Sequence, residues 1–154
     1  MLQRIQSIYL LLASLSLYAL FLFPFVHGVN VDGKLVTIMV TGVFDDAGGH
    51  THIQFFTGLT AATAVIGLIP LIIVFLYKNR KQQIALCYST ILVIFGFSFW
   101  MAQEVKGVMG STPIDTHNWG IGLLLSSVSI LFIVFAFKAI QTDEKLVKSA
   151  DRLR

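Results

Sequence analysis

The sequence predicts an all-α membrane protein, a bundle of four transmembrane helices with both chain ends in the cytoplasm. Its composition is that of a membrane protein, because 56% of the residues are hydrophobic and only 12% are charged. Four apolar runs each approach the ~20 residues that a helix needs to cross a bilayer. They lie at about 8–26, 55–77, 84–101 and 119–137. These runs use nearly the whole length, so residues 1–154 are predicted to form a single membrane domain.

The charged residues predict how the four helices are oriented. When the chain crosses the membrane at each run, nine basic and three acidic residues fall on one side, and two basic and five acidic residues on the other. Cytoplasmic loops carry the excess of lysine and arginine, so the basic side, with the loop at about 78–83, is predicted to be cytoplasmic. The loops at about 27–54 and 102–118 then lie outside. Contacts at the cytoplasmic surface are expected from Arg4, Lys145, Lys148 and Arg152.

The first run is predicted to be an uncleaved signal-anchor helix. Arg4 precedes it, as a basic residue precedes a signal peptide, but the run is longer than a typical signal core. The segment 21–25, Phe-Leu-Phe-Pro-Phe, offers no small-residue cleavage site. Pro24 is expected to mark the outer end of this helix.

The first outer loop is predicted to form a small β-hairpin or meander. Asp32-Gly33 lies between β-forming residues, and this pair is a strong signal for a two-residue hairpin turn. The segment 36–41, Val-Thr-Ile-Met-Val-Thr, has the composition of a strand. Because an isolated two-stranded ribbon is marginal in water, it is expected to pack on the helix ends, on the second outer loop or on a partner.

Small residues are spaced for helix packing in the second and fourth runs. Gly58, Ala62 and Gly67 fall in the second run, and Gly122 and Ser126 repeat the four-residue spacing in the fourth. Lipid gives helices no hydrophobic reason to associate, so small residues stabilise contacts by letting backbones approach closely. The spacing suits packing within the chain or against a partner, and packing within the chain is the favoured interpretation.

The tail, about 141–154, is predicted to be a short amphipathic helix on the cytoplasmic side. Thr142 can cap it, acidic residues occupy its first turn and basic residues its last. Leu146, Val147 and Leu153 fall on one face. Two arrangements remain open: the tail continues the fourth span, or it lies on the lipid headgroups.

All four histidines fall on the predicted outer side. His50 and His52, together with His117 and Asp45, form a candidate metal site, because imidazole and carboxylate groups are suitable ligands for zinc or copper. Their spacing matches none of the common zinc motifs. Solvated or hydrogen-bonded histidines are therefore the favoured interpretation.

The sequence contains no recognisable set of catalytic or cofactor-binding residues. No histidine lies in the middle of a run, where it would hold a haem, and no ionisable residue lies near the bilayer centre, where it would mark an ion pathway. The single cysteine, Cys87, excludes an intramolecular disulfide. There is no glycine-rich phosphate loop and no base-reading motif. The chain is therefore predicted not to be an enzyme, and no cofactor, nucleic acid or small-molecule substrate is expected.

The two ends of the chain carry a family resemblance. Residues 1–13 read MLQRIQSIYLLLA and residues 143–154 read DEKLVKSADRLR. Together they resemble the domain-of-unknown-function family 4293, small four-helix membrane proteins of Bacteroidetes-type bacteria. The resemblance implies a bacterial inner membrane and implies no activity or catalytic residues. It also puts Arg4 on the same side as Asp143, so the N-terminus and the C-terminal helix are expected to pack together.

The function predicted from these features is that of a non-enzymatic accessory, assembly or stabilising subunit of a larger inner-membrane complex. The reasons are the small size, the lack of ionisable groups in the spans, the small-residue spacing and the absence of a catalytic set. The expected partners are the lipid bilayer and other membrane-protein subunits. The alternative is a ligand- or metal-binding membrane protein whose site lies in the outer loops. A transporter or channel is disfavoured because no polar pathway crosses the spans.

Overall fold

The computed structural model describes residues 2–31, 33–46, 51–77, 79–110 and 116–152, and for residues 2–4, 116 and 148–152 it describes the backbone alone. This part of the chain forms four α-helices, four β-strands and one short 3₁₀ helix. They are α1 (Leu2–Ala19), β1 (Val26–Val31), β2 (Lys34–Met39), β3 (Gly42–Asp45), β4 (Thr51–Phe55), α2 (Thr57–Phe75), α3 (Arg80–Met109), the 3₁₀ helix (Thr116–Asn118) and α4 (Gly122–Arg152).

Three of the four helices are long and apolar enough to cross a membrane. These are α2, α3 and the Gly122–Val147 part of α4, and α1 contributes a shorter apolar helix over Ile5–Ala19. Only about a third or less of each long span is buried inside the molecule. Most of the apolar side chains therefore face outward, where lipid would cover them, and the chain is a multi-pass membrane protein.

The core of the helix bundle is centred on α1. This helix makes its most extensive contacts with α4 and the next most with α2, while α3 packs against α2 and α4. Hydrogen bonds supplement the apolar packing: the Ser14 hydroxyl donates to the Gly67 carbonyl of α2 at 2.7 Å, and the Ser129 hydroxyl of α4 donates to the Ala13 carbonyl at 3.1 Å. Both contacts fix α1 between its neighbours.

The described residues between α1 and α2 form a four-stranded antiparallel meander in the order β1-β2-β3-β4. Gly33, with φ of 82°, lies in the turn that brings Val31 opposite Lys34, which agrees with the predicted hairpin. The second turn pairs Met39 with Gly42. The prediction of β structure in this loop is confirmed, and the observed form is the meander.

The first predicted span, 8–26, is too long at its outer end. The helix ends at Ala19, and a turn follows in which the Leu22 N–H donates to the Ala19 carbonyl at 2.9 Å. The last apolar residues of the run belong to the sheet instead, since Phe25 and Val26 are fully buried and Val26 begins β1. Hydropathy is the same on both sides of this boundary, so it does not mark where the helix ends.

The third and fourth predicted spans, 84–101 and 119–137, are both shorter than the observed helices. Helix α3 starts four residues earlier and runs eight residues further, and it ends at Gly110, where φ is +56° and the N–H donates to the Lys106 carbonyl. Helix α4 begins at Gly122 and continues without a break to Arg152. The predicted tail helix therefore continues the fourth span.

The two ends of the helix bundle carry different parts of the chain: the sheet lies at one end, and the start of α1 and the end of α4 lie at the other. The N–H of Gly122 donates to the Pro24 carbonyl at 3.0 Å, so α4 begins where α1 has just ended and runs antiparallel to it. Both chain ends consequently lie at one end of the bundle. We call the opposite end the sheet end; it comprises β1–β4, the last two turns of α3 (residues 102–109) and residues 116–122.

Candidate functional site

The β-sheet at the sheet end lies outside the hydrocarbon core of the bilayer. Within the described residues β4 pairs only with β3, which leaves one row of its backbone groups without a strand partner. Open sheet edges do not occur in lipid because each unsatisfied N–H or C=O costs several kcal/mol there. Trp100 and Trp119, both partly exposed, lie where the helices meet the sheet end, the level at which tryptophans line membrane interfaces.

The two edges of the sheet differ in their protection. The β1 edge is covered by the segment before α4: Val26 forms a bridge with Trp119, and the Asn118 side-chain amide donates to the Gly28 carbonyl at 2.9 Å. The β4 edge has no such cover among the described residues, and all five β4 residues are exposed.

Strand β4 carries a bulge that discourages further strand pairing. Val43 lies opposite Gln54 and Phe44 opposite His52, so Ile53 is the extra residue without a partner on β3. Bulges on edge strands twist the edge away from an incoming strand. Side chains, and not backbone hydrogen bonds, are therefore what β4 offers to another molecule.

A cleft of about 390 Å³ lies between the sheet and the last turns of α3; we call it the sheet cleft. Its walls are mostly apolar, with one cation and one amide. The lining residues are Val31, Lys34, Val36, Val43, Ile53, Gln54, Gly107 and Val108. This volume is within the range of small-molecule sites.

A second cavity of about 180 Å³ lies on another side of α3, between α3 and the start of α4; we call it the helix cavity. Its lining is almost wholly apolar apart from one cation. The lining residues are Ala102, Val105, Lys106, Met109, Gly110, Trp119 and Leu123.

The candidate metal ligands are not all brought together. His52 packs between Phe44 and Phe55, with ring centroids 4.1 and 4.4 Å from the imidazole. His117 lies in the 3₁₀ helix beside β1, at the other edge of the sheet. Three strand spacings separate the two edges, about 14 Å, so His52 and His117 cannot ligate one ion.

The other candidate ligands divide between described and undescribed residues. Asp45 ends β3, opposite Thr51 at the start of β4, and His50 lies outside the described residues. No three His, Cys, Asp or Glu side chains among the described residues are grouped closely enough to hold a metal ion. A metal site at this end of the sheet would therefore depend on His50 together with His52 or Asp45.

The small residues singled out for helix packing contact other parts of the same chain. A Cβ on Gly67 would lie 2.9 Å from the Tyr18 ring, and a Cβ on Gly58 would lie 3.3 Å from the Trp100 ring. Gly122 lies against the backbone of residues 23–24. The fourth and fifth positions, Ala62 and Ser126, are partly buried and buried respectively.

At the end of the bundle that carries the chain ends, Arg80 of α3 is joined to Asp143 of α4. The guanidinium lies 3.0 Å from the Asp143 carboxylate and also approaches the Asp143 carbonyl, at 3.4 Å. The N-terminus near Arg4 is predicted to pack against this acidic segment, and that prediction falls on a side chain outside the described residues. At Asp143 the first turn of α3 is a neighbour. Lys145 is exposed, and the side chains of Arg4, Lys148 and Arg152 lie outside the described part of the chain.

Sequence reasoning missed the residues that line the two cavities at the sheet end. The spacing of Ala102, Val105 and Met109 follows one face of a helix, and this signal continues past the point where the third apolar run appears to end. The hydropathy pattern places Ile53 in a loop. Thr51 and Phe55, two positions before and after it, are strand-forming residues.

A family model described as Domain of unknown function (DUF4293) matches residues 2–153. Neither the curated proteins nor the solved structures give a significant match. The family match covers nearly the whole chain, helices and sheet together.

Proposed function

The chain belongs to the DUF4293 family of unknown function, and on that premise we propose that it is a non-enzymatic accessory, assembly or stabilising subunit of a larger inner-membrane complex. The observation that carries this proposal is the sheet cleft. It combines an apolar lining with a location outside the hydrocarbon core, where lipid tails cannot cover exposed apolar side chains. Such surfaces mark contacts with other molecules.

Ile53 is the residue best placed to contact a partner at the sheet cleft. Its side chain is 50% exposed, it lines the cleft, and as the bulge residue it has no partner on β3. A fully buried isoleucine stabilises a contact by about 1.5–3 kcal/mol relative to exposure, so covering the exposed half is worth about 1 kcal/mol. The expected partner is an extramembrane segment that inserts an apolar side chain beside Ile53.

The proposed orientation has the sheet end outside and both chain ends in the cytoplasm of a bacterial cell. The basic residues support it, because Arg80, Lys81 and Lys145 lie at the end of the bundle opposite the sheet, as the positive-inside rule requires. In this orientation the sheet cleft would open to the periplasm, and the partner would be another inner-membrane or periplasmic subunit.

Affinity purification from the native membrane tests the proposal. The tagged chain is extracted in a mild detergent, and a partner protein should co-purify in a fixed ratio. Ile53→Gln should weaken that association about tenfold, since the variant loses apolar burial and introduces an amide that must be desolvated. The amount of partner retained through washing measures the effect.

Leu35→Gln is the matched control. Leu35 is 48% exposed on the same sheet but does not line the cleft, so its replacement should leave the partner bound. A chain that always purifies alone would contradict the proposal. Equal loss of partner from both variants would show that the cleft is not the contact surface.

The second candidate function is ligand binding at the same cleft. Its volume of about 390 Å³ favours this candidate, because ligand sites typically measure about 300–1,000 Å³. Lys34 and Gln54 would supply the polar contacts. Mass spectrometry of the purified chain distinguishes the two functions, since a bound small molecule that is lost in Ile53→Gln would favour a ligand over a protein partner.

If the ligand is a metal ion, the candidate ligating residues are His50, His52 and Asp45. Metal analysis of the purified chain, with and without His50→Ala and His52→Ala, tests it. Metal that disappears in step with the histidines would favour a metal-binding function. His117→Ala is the control, because His117 lies at the opposite edge of the sheet and should not affect the metal content.

A further inference from the structure

The helix cavity is built by the way α4 begins. Gly120 donates its N–H to the Phe25 carbonyl at 2.7 Å, and Gly122 donates to the Pro24 carbonyl at 3.0 Å. Neither glycine has a side chain to prevent this approach, since a Cβ on either would collide with the Pro24 carbonyl oxygen. The start of α4 is therefore held against residues 24–25, between α1 and β1, and a gap remains beside the last turns of α3.

One face of α3 forms the other wall of this gap. Ala102, Val105 and Met109 recur at helical spacing and line the cavity together with Trp119 and Leu123 of the opposite wall. An apolar cavity of about 150 Å³ suffices to bind benzene. The helix cavity, at about 180 Å³, therefore has room for a short stretch of an acyl chain.

The cavity lies at the depth of the lipid headgroups. Helix α3 has 30 residues and rises about 45 Å, which exceeds the ~30 Å hydrocarbon core by about 15 Å. If the core begins at Ile84, just after the polar first turn, it ends ~20 residues later, near residue 103. Ala102 then lies at the edge of the hydrocarbon, and Lys106 lies just beyond it.

Lys106 supplies a positive charge at the mouth of the cavity. It lines the cavity, and its side chain is exposed. Glu104, the nearest acidic residue along the helix, is two positions away and so points to a different face. The Glu104 carboxylate accepts a hydrogen bond from the Trp100 indole at 2.9 Å.

From these observations we propose that the helix cavity binds an anionic phospholipid of the surrounding bilayer. One acyl chain enters between α3 and α4, and the phosphate lies against the Lys106 ammonium. The apolar lining binds the acyl chain whatever headgroup the lipid carries. Lys106 provides the preference for a negatively charged headgroup. A single basic residue near the membrane surface favours anionic lipid about fivefold.

Quenching of Trp119 fluorescence tests the proposal directly. Trp119 lines the cavity and Trp100 is the second of two tryptophans, so Trp100→Phe leaves Trp119 as the only fluorophore. The full chain is placed in vesicles of equal parts phosphatidylglycerol and phosphatidylcholine, with bromine on the acyl chains of one lipid or the other. Brominated phosphatidylglycerol should quench Trp119 with about fivefold higher apparent affinity than brominated phosphatidylcholine.

Substitutions at Lys106 distinguish a specific site for anionic lipid from nonspecific contact with lipid. Lys106→Gln should abolish the preference for phosphatidylglycerol, and Lys106→Arg should retain it because the positive charge remains. Lys34→Gln is the matched control: Lys34 is the other basic residue of the sheet end, it lines the sheet cleft instead, and its replacement should leave the preference unchanged.

Equal quenching by the two brominated lipids in the starting variant would overturn the proposal. So would a preference that survives Lys106→Gln. If Trp100→Phe fails to fold, the same comparison is made by native mass spectrometry on chains that retain both tryptophans. There, phosphatidylglycerol should remain bound to the wild type and to Lys34→Gln, and its loss from Lys106→Gln alone would support the site.

Discussion

Gly120, two residues before α4 begins, lies against the backbone of Pro24 and Phe25 between α1 and β1. A Cβ at this position would overlap the Pro24 carbonyl oxygen, and backbone cannot move aside as a flexible side chain can. Gly120→Ala should therefore destabilise the protein by about 2 kcal/mol, the usual size of an overpacking effect. The denaturation midpoint of the detergent-solubilised chain measures it.

Gly96→Ala is the control for that substitution. Gly96 lies within α3, and a Cβ there would meet no atom within 4 Å. Alanine forms helices more readily than glycine, so this variant should be neutral or slightly more stable. Equal midpoints for Gly120→Ala and Gly96→Ala would contradict the importance of the contact with Pro24.

Ser14 and Ser129 are two of the residues whose hydroxyl groups join α1 to its neighbouring helices by hydrogen bonds. Such bonds contribute about 0.6 kcal/mol each on average. The double variant Ser14→Ala/Ser129→Ala should therefore lose about 1 kcal/mol of stability in an SDS unfolding titration. Ser89→Ala is expected to change nothing, because the exposed Ser89 hydroxyl donates only to the Leu86 carbonyl of its own helix.

At the scale of the elements, the sequence predicts the existence of the helices better than their ends. The predicted third span ends at residue 101, before Glu104 and Lys106, but charged side chains do not break a helix once it leaves the bilayer, and α3 continues to Met109. The opposite error occurs at Ala19, where an apolar run passes from helix to strand. A run of apolar residues indicates that the residues are buried. It does not distinguish burial in lipid from burial in the core of the sheet.

The first turn of the sheet and the strand that follows it were predictable from the sequence, whereas the full set of four strands was not. Gly33 requires positive φ, which sequence reasoning can recognise, whereas β3 and β4 depend on pairing between residues that lie several positions apart. The bulge at Ile53 is a consequence of that pairing. The sheet cleft therefore could not be predicted from the sequence, because it forms only where β4 and the last turns of α3 meet in the folded chain.

The contact between the first turn of α3 and α4 is carried by the Arg80–Asp143 ion pair. The two side chains are 33% and 18% exposed, so solvent screens the pair and its expected contribution is about 0.5–1 kcal/mol. Arg80→Asp should increase the rate at which trypsin cleaves after Lys145, since the tail then loses a partner and gains a like charge beside it. Gel analysis of the tail fragment against time measures this rate.

Exchange of the two charges tests whether the Arg80–Asp143 ion pair itself protects the tail from trypsin. Arg80→Asp/Asp143→Arg should restore most of the protection from trypsin, because the opposite charges again face each other. Lys81→Asp serves as the control, as Lys81 is exposed on the same turn of α3. Protection that is unchanged in Arg80→Asp would remove the ion pair as a restraint on the tail.

At the scale of the whole molecule, most of the basic residues and the β-sheet lie at opposite ends of an apolar bundle. The described spans present lipid-compatible side chains, while the two cavities and the open sheet edge lie at the sheet end. Binding of a partner and binding of lipid are consequently assigned to neighbouring faces of α3. A tilt of this helix would alter both surfaces together, since Gly107 and Val108 line one cavity and Lys106 and Met109 the other.

The orientation of the bundle determines which compartment the sheet end meets. Cys87 is the only cysteine and is buried, so Cys87→Ser provides a background for single-cysteine labelling. In intact spheroplasts a membrane-impermeant maleimide should label Lys34→Cys. Lys81→Cys and Lys145→Cys should react only after permeabilisation, because the positive-inside rule keeps the basic end of the bundle in the cytoplasm. All three positions are exposed, so a difference in labelling reports sidedness and not burial. The reverse pattern would mean that the sheet cleft opens to the cytoplasm, and the partner sought in the periplasm would then have to be sought on the other side of the membrane.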